Sequence, residues 1–357
     1  MARADELLLH IGQAKTATTT LQHTLLGAQA SLRQQGVHYP RFDPGHANAV
    51  ILAYHLFGHT EDNAERRRWL GIDPAQHAAV SARAWRGIED AVTHHRPRTL
   101  VLSSEIFFRP MNRATITAAN RQIDRVARTS RIVAYLRAPD AHFLSFLQQI
   151  LRQLGLNHRL SRTHVKDTIA PLITGWRGPV SLNVFDRAVM TDGDIVTDFL
   201  TKHLPDVAPS SIARLQTARN PSLSAEAMAL LHDIATDRTV WRGDRNALAV
   251  EIFKADRRLD HPTTPQLNAG MAQALINWRA PDLFWLRDDQ GITFPGIDYG
   301  AIDENDVDDA VLRVDRIEDI CTLNPDRKAA LLHRAKARAR LPRPLRRLLY
   351  KYHGYQI

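Results

Sequence analysis

Cysteine is nearly absent from this 357-residue chain. Cys321 stands alone, so no disulfide can form within it, which suits a reducing cytoplasm. No apolar run approaches the ~18 residues of a membrane-spanning helix. The opening MARADELLLHIG has two acids ahead of a short apolar run. It lacks the basic start and long apolar core of a secretory signal, and a cytoplasmic location is expected. Metal motifs are missing too. There is no HExxH and no Cys/His cluster, and His94 and His95 are adjacent rather than spaced for one helix face, so no metal is expected. No repeat of 20–50 residues and no low-complexity stretch occurs.

Hydrophobic residues make up 44% of the chain and charged residues 24%. That globular balance excludes disorder and collagen-like structure. Lys and Arg number 47 against 38 Asp and Glu. Ten of those bases fall in residues 327–351 beside no acid, which leaves 37 bases and 38 acids elsewhere. The excess positive charge thus belongs to the C-terminal segment, and no domain-wide nucleic-acid footprint is expected. Within that segment Leu331, Leu332, Ala335, Ala339 and Leu341 mark one helical face. Such a segment predicts weak, salt-sensitive contact with an anionic membrane, or a terminal helix packed by its leucines on the body.

Along the chain, apolar runs alternate with longer helical patterns. Strands are expected at Glu6–Ile11, Val37–Tyr39, Thr99–Ser103, Arg131–Leu136 and Val180–Phe185. All but the second read as buried. Helices are expected at Thr18–Gln35, His46–Phe57, Ala75–His95 and Ala114–Arg128, and from Pro139 to about Leu154. Gly36 suits a position just past a helix end. Further helices are expected at 194–203, 222–236, 243–256 and 264–277. The fold class is α/β: a central parallel sheet flanked by helices, and a helix-rich C-terminal half. One domain over 1–326 is expected, with helical insertions at about 40–97 and 222–300, followed by a basic amphipathic tail over 327–357.

Ligands of open parallel sheets bind beyond the carboxyl ends of the strands. Three polar groups gather there. After the first strand comes GQAKTATTT, where Gly12, Lys15, Thr16, Thr18, Thr19 and Thr20 lead into a helix start. Free N–H groups, the helix dipole, a lysine and hydroxyls together suit an anion. The loop is not an NTP-binding P-loop, because only two residues separate Gly12 from Lys15. After the Thr99–Ser103 strand comes Ser104-Glu105, and Glu105 suits a general base. After Leu136 comes Arg137, whose planar fork suits phosphate, and Ser145 follows eight residues later on a helix. His46, in PGHAN, is the alternative base or a substrate-positioning group.

HIGQAKTATTTLQ resembles the 5′-phosphosulfate loop of sulfotransferases that use 3′-phosphoadenylyl sulfate (PAPS), whose bacterial members read much like HIGxxKTGTTxLQ. YLRAPDAHFLSFLQQ resembles their 3′-phosphate segment, which implies that Arg137 and Ser145 bind that phosphate. VLSSE, FDRAVMTDGDIVTDFL and NPSLS resemble later segments of the family, and LFWLRDDQGITF resembles it weakly. Ala17 stands where the family usually has glycine, and the loop that helps hold the 3′-phosphate in animal enzymes is not identifiable. The resemblance implies a P-loop-like α/β fold with one parallel sheet, and PAPS as co-substrate with no metal required. Gly12, Lys15, Thr16, Ala17, Thr18, Thr19 and Thr20 would lie at its 5′-phosphosulfate. The acceptor would be a hydroxyl or amine of a carbohydrate or small molecule, and Lys15, Glu105 and His46 are the catalytic candidates. The alternatives are a P-loop kinase using Lys15-Thr16 with Glu105 near Mg²⁺, and a non-catalytic scaffold with Ala17 as its lesion.

Overall fold

The computed structural model describes residues 2–42, 47–58, 76–152, 163–214, 222–237, 239–306 and 314–341. Five parallel strands form one sheet, β1 (Ala4–His10), β2 (Val37–His38), β3 (Thr99–Ser103), β4 (Ala127–Leu136) and β5 (Val180–Val184), in the order β2-β3-β1-β4-β5. β1 is central because Leu7, Leu8 and Leu9 are all fully buried, as a strand covered on both faces requires. β5 was expected to be buried. Among the described residues it pairs with β4 alone, as an edge strand half-buried along its length.

The chain divides into two compact units. The first comprises residues 1–138, 162–218 and 281–297, and the second 139–161, 219–280 and 298–357. In the first unit, Leu8, Val101, Val133 and Tyr135 share one sheet face. They pack with Leu21 and Leu25 of α1 (Thr18–Gly27) and with Phe199 and Leu200 of a helix over Ile195–His203. The single helix expected over Thr18–Gln35 breaks at Ala28, and α2 (Gln29–Gln34) follows. Gly36 takes φ 77 just beyond α2, a backbone conformation that suits glycine. Leu7, Leu9, Leu100, Leu102 and Ile132 point to the opposite face and are fully buried.

Helices α3 (Ala53–Phe57), α4 (His77–His95), α5 (Arg113–Ile123) and α7 (Val165–Gly175) pack on one another. Residues 49–52 ahead of α3 form a 3₁₀ turn rather than α-helix. α5 stops at Ile123 and β4 begins at Ala127, several residues earlier than the sequence suggests. α7 is a helix the sequence reading missed. Its start is fixed by Asp282, whose carboxylate accepts from the Lys166 N–H at 3.0 Å and lies 3.2 Å from His164 Nδ1. The Ile195–His203 helix is α8.

The second unit contains α6 (Pro139–Arg152), α9 (Ala225–Thr236), α10 (Arg245–Asp256), α11 (Ala269–Trp278) and α13 (Pro325–Ala339), while α12 (Ala280–Gln290) lies almost wholly in the first. Phe143, Leu147, Leu231, Ile252, Leu331 and Ala335 belong to the second unit's apolar core. The boundary expected between residues 326 and 327 therefore falls inside a helix. α13 turns Leu331 and Ala335 into this core, and those side chains are not offered to a membrane. Arg327, expected in the tail, is also buried. Its guanidinium donates to Ser224 Oγ at 2.8 Å, to Glu226 and Asp256 at 2.9 Å each, and to three backbone carbonyls. Residues 342–357 lie outside the described residues. Among the described residues, no helix is long and apolar enough to cross a membrane.

Candidate active site

α1, after β1, packs on the sheet face of Leu8 and Val101, and because β1 connects toward β2 while β3 connects the opposite way toward β4, right-handed crossovers put the helix after β3 on the other face. The connections leaving these neighbouring strands therefore diverge, although the strand ends stay joined by the Ser104 N–H and the His10 carbonyl at 3.0 Å, and such a divergence is the switch point where open α/β sheets bind ligands. The loop after β1 is pinned there. Gly12 accepts from the Tyr135 N–H at 2.7 Å, and the Gln13 N–H donates to Tyr135 at 2.8 Å, so the loop extends the ladder with β4. Gly12 has φ 95, and a Cβ on it would sit 3.0 Å from the Glu105 backbone. Glycine is needed both for the torsion and for the approach of the β3 end.

Lys15 (φ 67) and Ala17 (φ 54) take left-handed conformations on either side of Thr16. Alternation of this kind curls successive N–H groups into an anion-binding concavity. Ala17 is the N-cap of α1 and has no capping side chain. The first bond within the helix runs from the Leu21 N–H to Ala17 at 3.1 Å, so the amides of Thr18, Thr19 and Thr20 precede it. The threonines divide in role. Thr16 is fully buried, and its hydroxyl donates to Gln13 O at 2.6 Å, which closes the loop on itself. Thr18 is buried, Thr20 is half-buried, and Thr19 is exposed at the helix start.

Arg137 leaves the end of β4 toward this loop. Its N–H donates to Gln13 Oε1 at 3.2 Å, and its Nη1 donates to the Lys15 carbonyl at 3.1 Å. The guanidinium also lies 5.6 Å from the Phe185 ring centroid. The Arg137 guanidinium is thus tied by a hydrogen bond to the backbone of the loop that carries Lys15 and leads into α1. Ser145 lies on α6 in the second unit. His46 lies outside the described residues.

Glu105 opens a 3₁₀ turn capped by Ser104, whose Oγ accepts from the Ile106 N–H at 3.3 Å. Its carboxylate is held by amides that the sequence reading did not single out. Asn48 Nδ2 donates to Oε1 at 3.1 Å and to Oε2 at 2.9 Å, and Gln22 Nε2 donates to Oε2 at 3.2 Å. Gln22 also reaches Ser103 Oγ at 3.2 Å, which in turn lies 2.8 Å from His10 Nδ1. His10 is fully buried. Burial, with a smaller contribution from His203, pushes it down to about 3, so the imidazole is neutral near pH 7. One signal for Gln22 was present in the sequence: it interrupts the apolar face of Leu21 and Leu25 on α1. Asn48 sits within the quoted PGHAN, with nothing local to mark it.

No protein-family model, curated protein or solved structure matches the chain. The site's own chemistry is consequently what bears on function. Among the described residues, no group of three or more His, Cys, Asp or Glu side chains could hold a metal ion. Gly12, Lys15, Ala17, the α1 threonines, Glu105 and Arg137 come together at the ends of β1, β3 and β4. That arrangement can bind a polyanion against α1 and accept a proton beside it.

Proposed function

We propose that the chain is a PAPS-dependent sulfotransferase on a P-loop-like fold, moving a sulfuryl group to a hydroxyl, or an amine, of a carbohydrate or small-molecule acceptor. The observation that carries this reading is that Glu105, by its Cα and Cβ, abuts the same glycine whose loop presents Lys15 and the α1 amides. The donor set fits the co-substrate. Lys15, Thr18, Thr19 and Thr20 would hold the 5′-phosphosulfate, and Arg137 would meet the 3′-phosphate. Thr16 and Gly12 shape the loop.

The chemistry needs two things of the protein. Charge grows on the leaving phosphate oxygen as its bond to sulfur breaks, and Lys15 with the helix amides is placed to offset it. The acceptor oxygen loses its proton as it bonds to sulfur, and Glu105 takes that proton. Calorimetric titration with 3′,5′-adenosine diphosphate and with 5′-AMP tests the reading. The bisphosphate should bind at least about tenfold more tightly, since a well-placed arginine–phosphate pair is a charge-assisted contact. Equal affinities would overturn the assignment, and strong Mg²⁺-dependent ATP binding would replace it with a kinase.

A further inference from the structure

We infer that Asn48 and Gln22 are positioning residues for Glu105, fixing its carboxylate so that Oε1 keeps a lone pair for the acceptor hydroxyl. This rests on the sulfuryl-transfer reading. A carboxylate offers about four acceptor positions. Among the described residues three are used: Oε2 accepts from Asn48 at 2.9 Å and from Gln22 at 3.2 Å, and Oε1 accepts from Asn48 at 3.1 Å. The remaining position lies on Oε1, which makes that oxygen the proton acceptor.

The orientation of each amide follows from its other bonds. Asn48 Oδ1 accepts from the Val50 N–H at 2.9 Å, so its NH₂ must face Glu105. Gln22 divides its two N–H groups between Ser103 and Glu105. Both amides are buried, with 8% and 3% of their surface exposed, and a buried amide lacking partners would be costly. Asn48 is anchored in turn. Tyr39, itself buried, donates its phenol to the neighbouring Ala47 carbonyl at 2.5 Å. Gly12 packs against the Cα and Cβ of Glu105, which fixes the base of the side chain while the two amides fix its carboxylate.

Asn48→Asp separates positioning from folding. The new carboxylate keeps the acceptor for the Val50 N–H but sets an oxygen against both Glu105 oxygens. Two carboxylates that close cannot both ionise freely, and they titrate as a pair. The assay is turnover of PAPS with water as the acceptor, beside calorimetry with 3′,5′-adenosine diphosphate. We expect kcat to fall at least about tenfold, with KM for PAPS and the bisphosphate affinity within about twofold. The acid limb of the pH–rate profile should move up by about one unit or more. Carbon-13 titration of the Glu105 carboxyl should show the same upward movement without turnover.

If Asn48→Asp fails to fold, Gln22→Met serves instead. It removes one donor to Glu105 and should lower kcat several-fold with KM unchanged. A soluble Asn48→Asp or Gln22→Met protein that binds the bisphosphate and keeps wild-type kcat and pH profile overturns the positioning role. Wild-type protein that does not bind the bisphosphate overturns the sulfotransferase reading instead, so the two failures are distinguishable.

Discussion

Ala17 offers a direct test of the loop geometry. It sits at the N-cap of α1 with φ 54 and ψ 28, in the left-handed region, without a side-chain cap. An L-residue there carries about 1–2 kcal/mol of steric cost. Ala17→Gly removes that cost but frees the unfolded chain, which returns about 0.4–1 kcal/mol. The net gain should be ~0.5–1 kcal/mol. For a unit of this size that corresponds to roughly 1–4 °C in Tm. Calorimetric melts of wild type, Ala17→Gly and Ala17→Val would measure it. The valine variant should lose stability, because a β-branched side chain is worse in this region. Ala17 already holds the positive φ, so the glycine should change affinity for 3′,5′-adenosine diphosphate by less than about threefold. A fall in Tm on Ala17→Gly, as at an ordinary helical position where glycine costs ~0.5–1 kcal/mol, would refute the left-handed assignment. A tenfold gain in affinity would mean that the alanine distorts the loop and would favour the scaffold reading.

Lys15→Ala should lower kcat more than it raises KM for PAPS, because its charge is needed most in the transition state. Glu105→Gln should lose on the order of 100-fold in turnover while binding 3′,5′-adenosine diphosphate normally, and retained turnover would redirect attention to His46. His10 sets a pH dependence of stability. Its folded value of about 3 lies below the unfolded 6.5, so the unfolded state binds the extra proton. Stability from this residue is complete above about pH 6.5 and is lost as pH falls toward 3, at up to ~1.4 kcal/mol per pH unit. Urea titrations from pH 7 to pH 4 should show a shallower slope for His10→Asn, and an unchanged slope would refute the neutral, buried assignment. Arg327→Met leaves Glu226 and Asp256 buried without their cation and should cost about 3–5 kcal/mol. The second unit should then melt earlier or yield to protease, and a melt equal to wild type would refute the arginine's role.

Local pattern alone located the strands of the central sheet, though not the start of β4 or the burial of β5. Leu7–Leu9, TLVLS and RIVAYL are apolar runs whose length and composition specify strands covered on both faces, and β3 matches its expected bounds residue for residue. The polar turns that follow β1, β3 and β4 were legible for the same reason, since a chain leaving a buried strand must turn at the surface. The tertiary structure alone decided which strands are neighbours, and hence that the Gly12 loop and Glu105 meet at all. It also made β5 an edge, put Leu331 and Ala335 in a core rather than on a tail, and buried Arg327 among carboxylates. Asn48, 57 residues from Glu105 in sequence, could not have been assigned to that carboxylate beforehand. Periodicity reports which face of an element avoids water. It carries no information about which distant amide will satisfy a buried carboxylate, because that pairing is selected only when the strands are brought together and each polar group must find a partner.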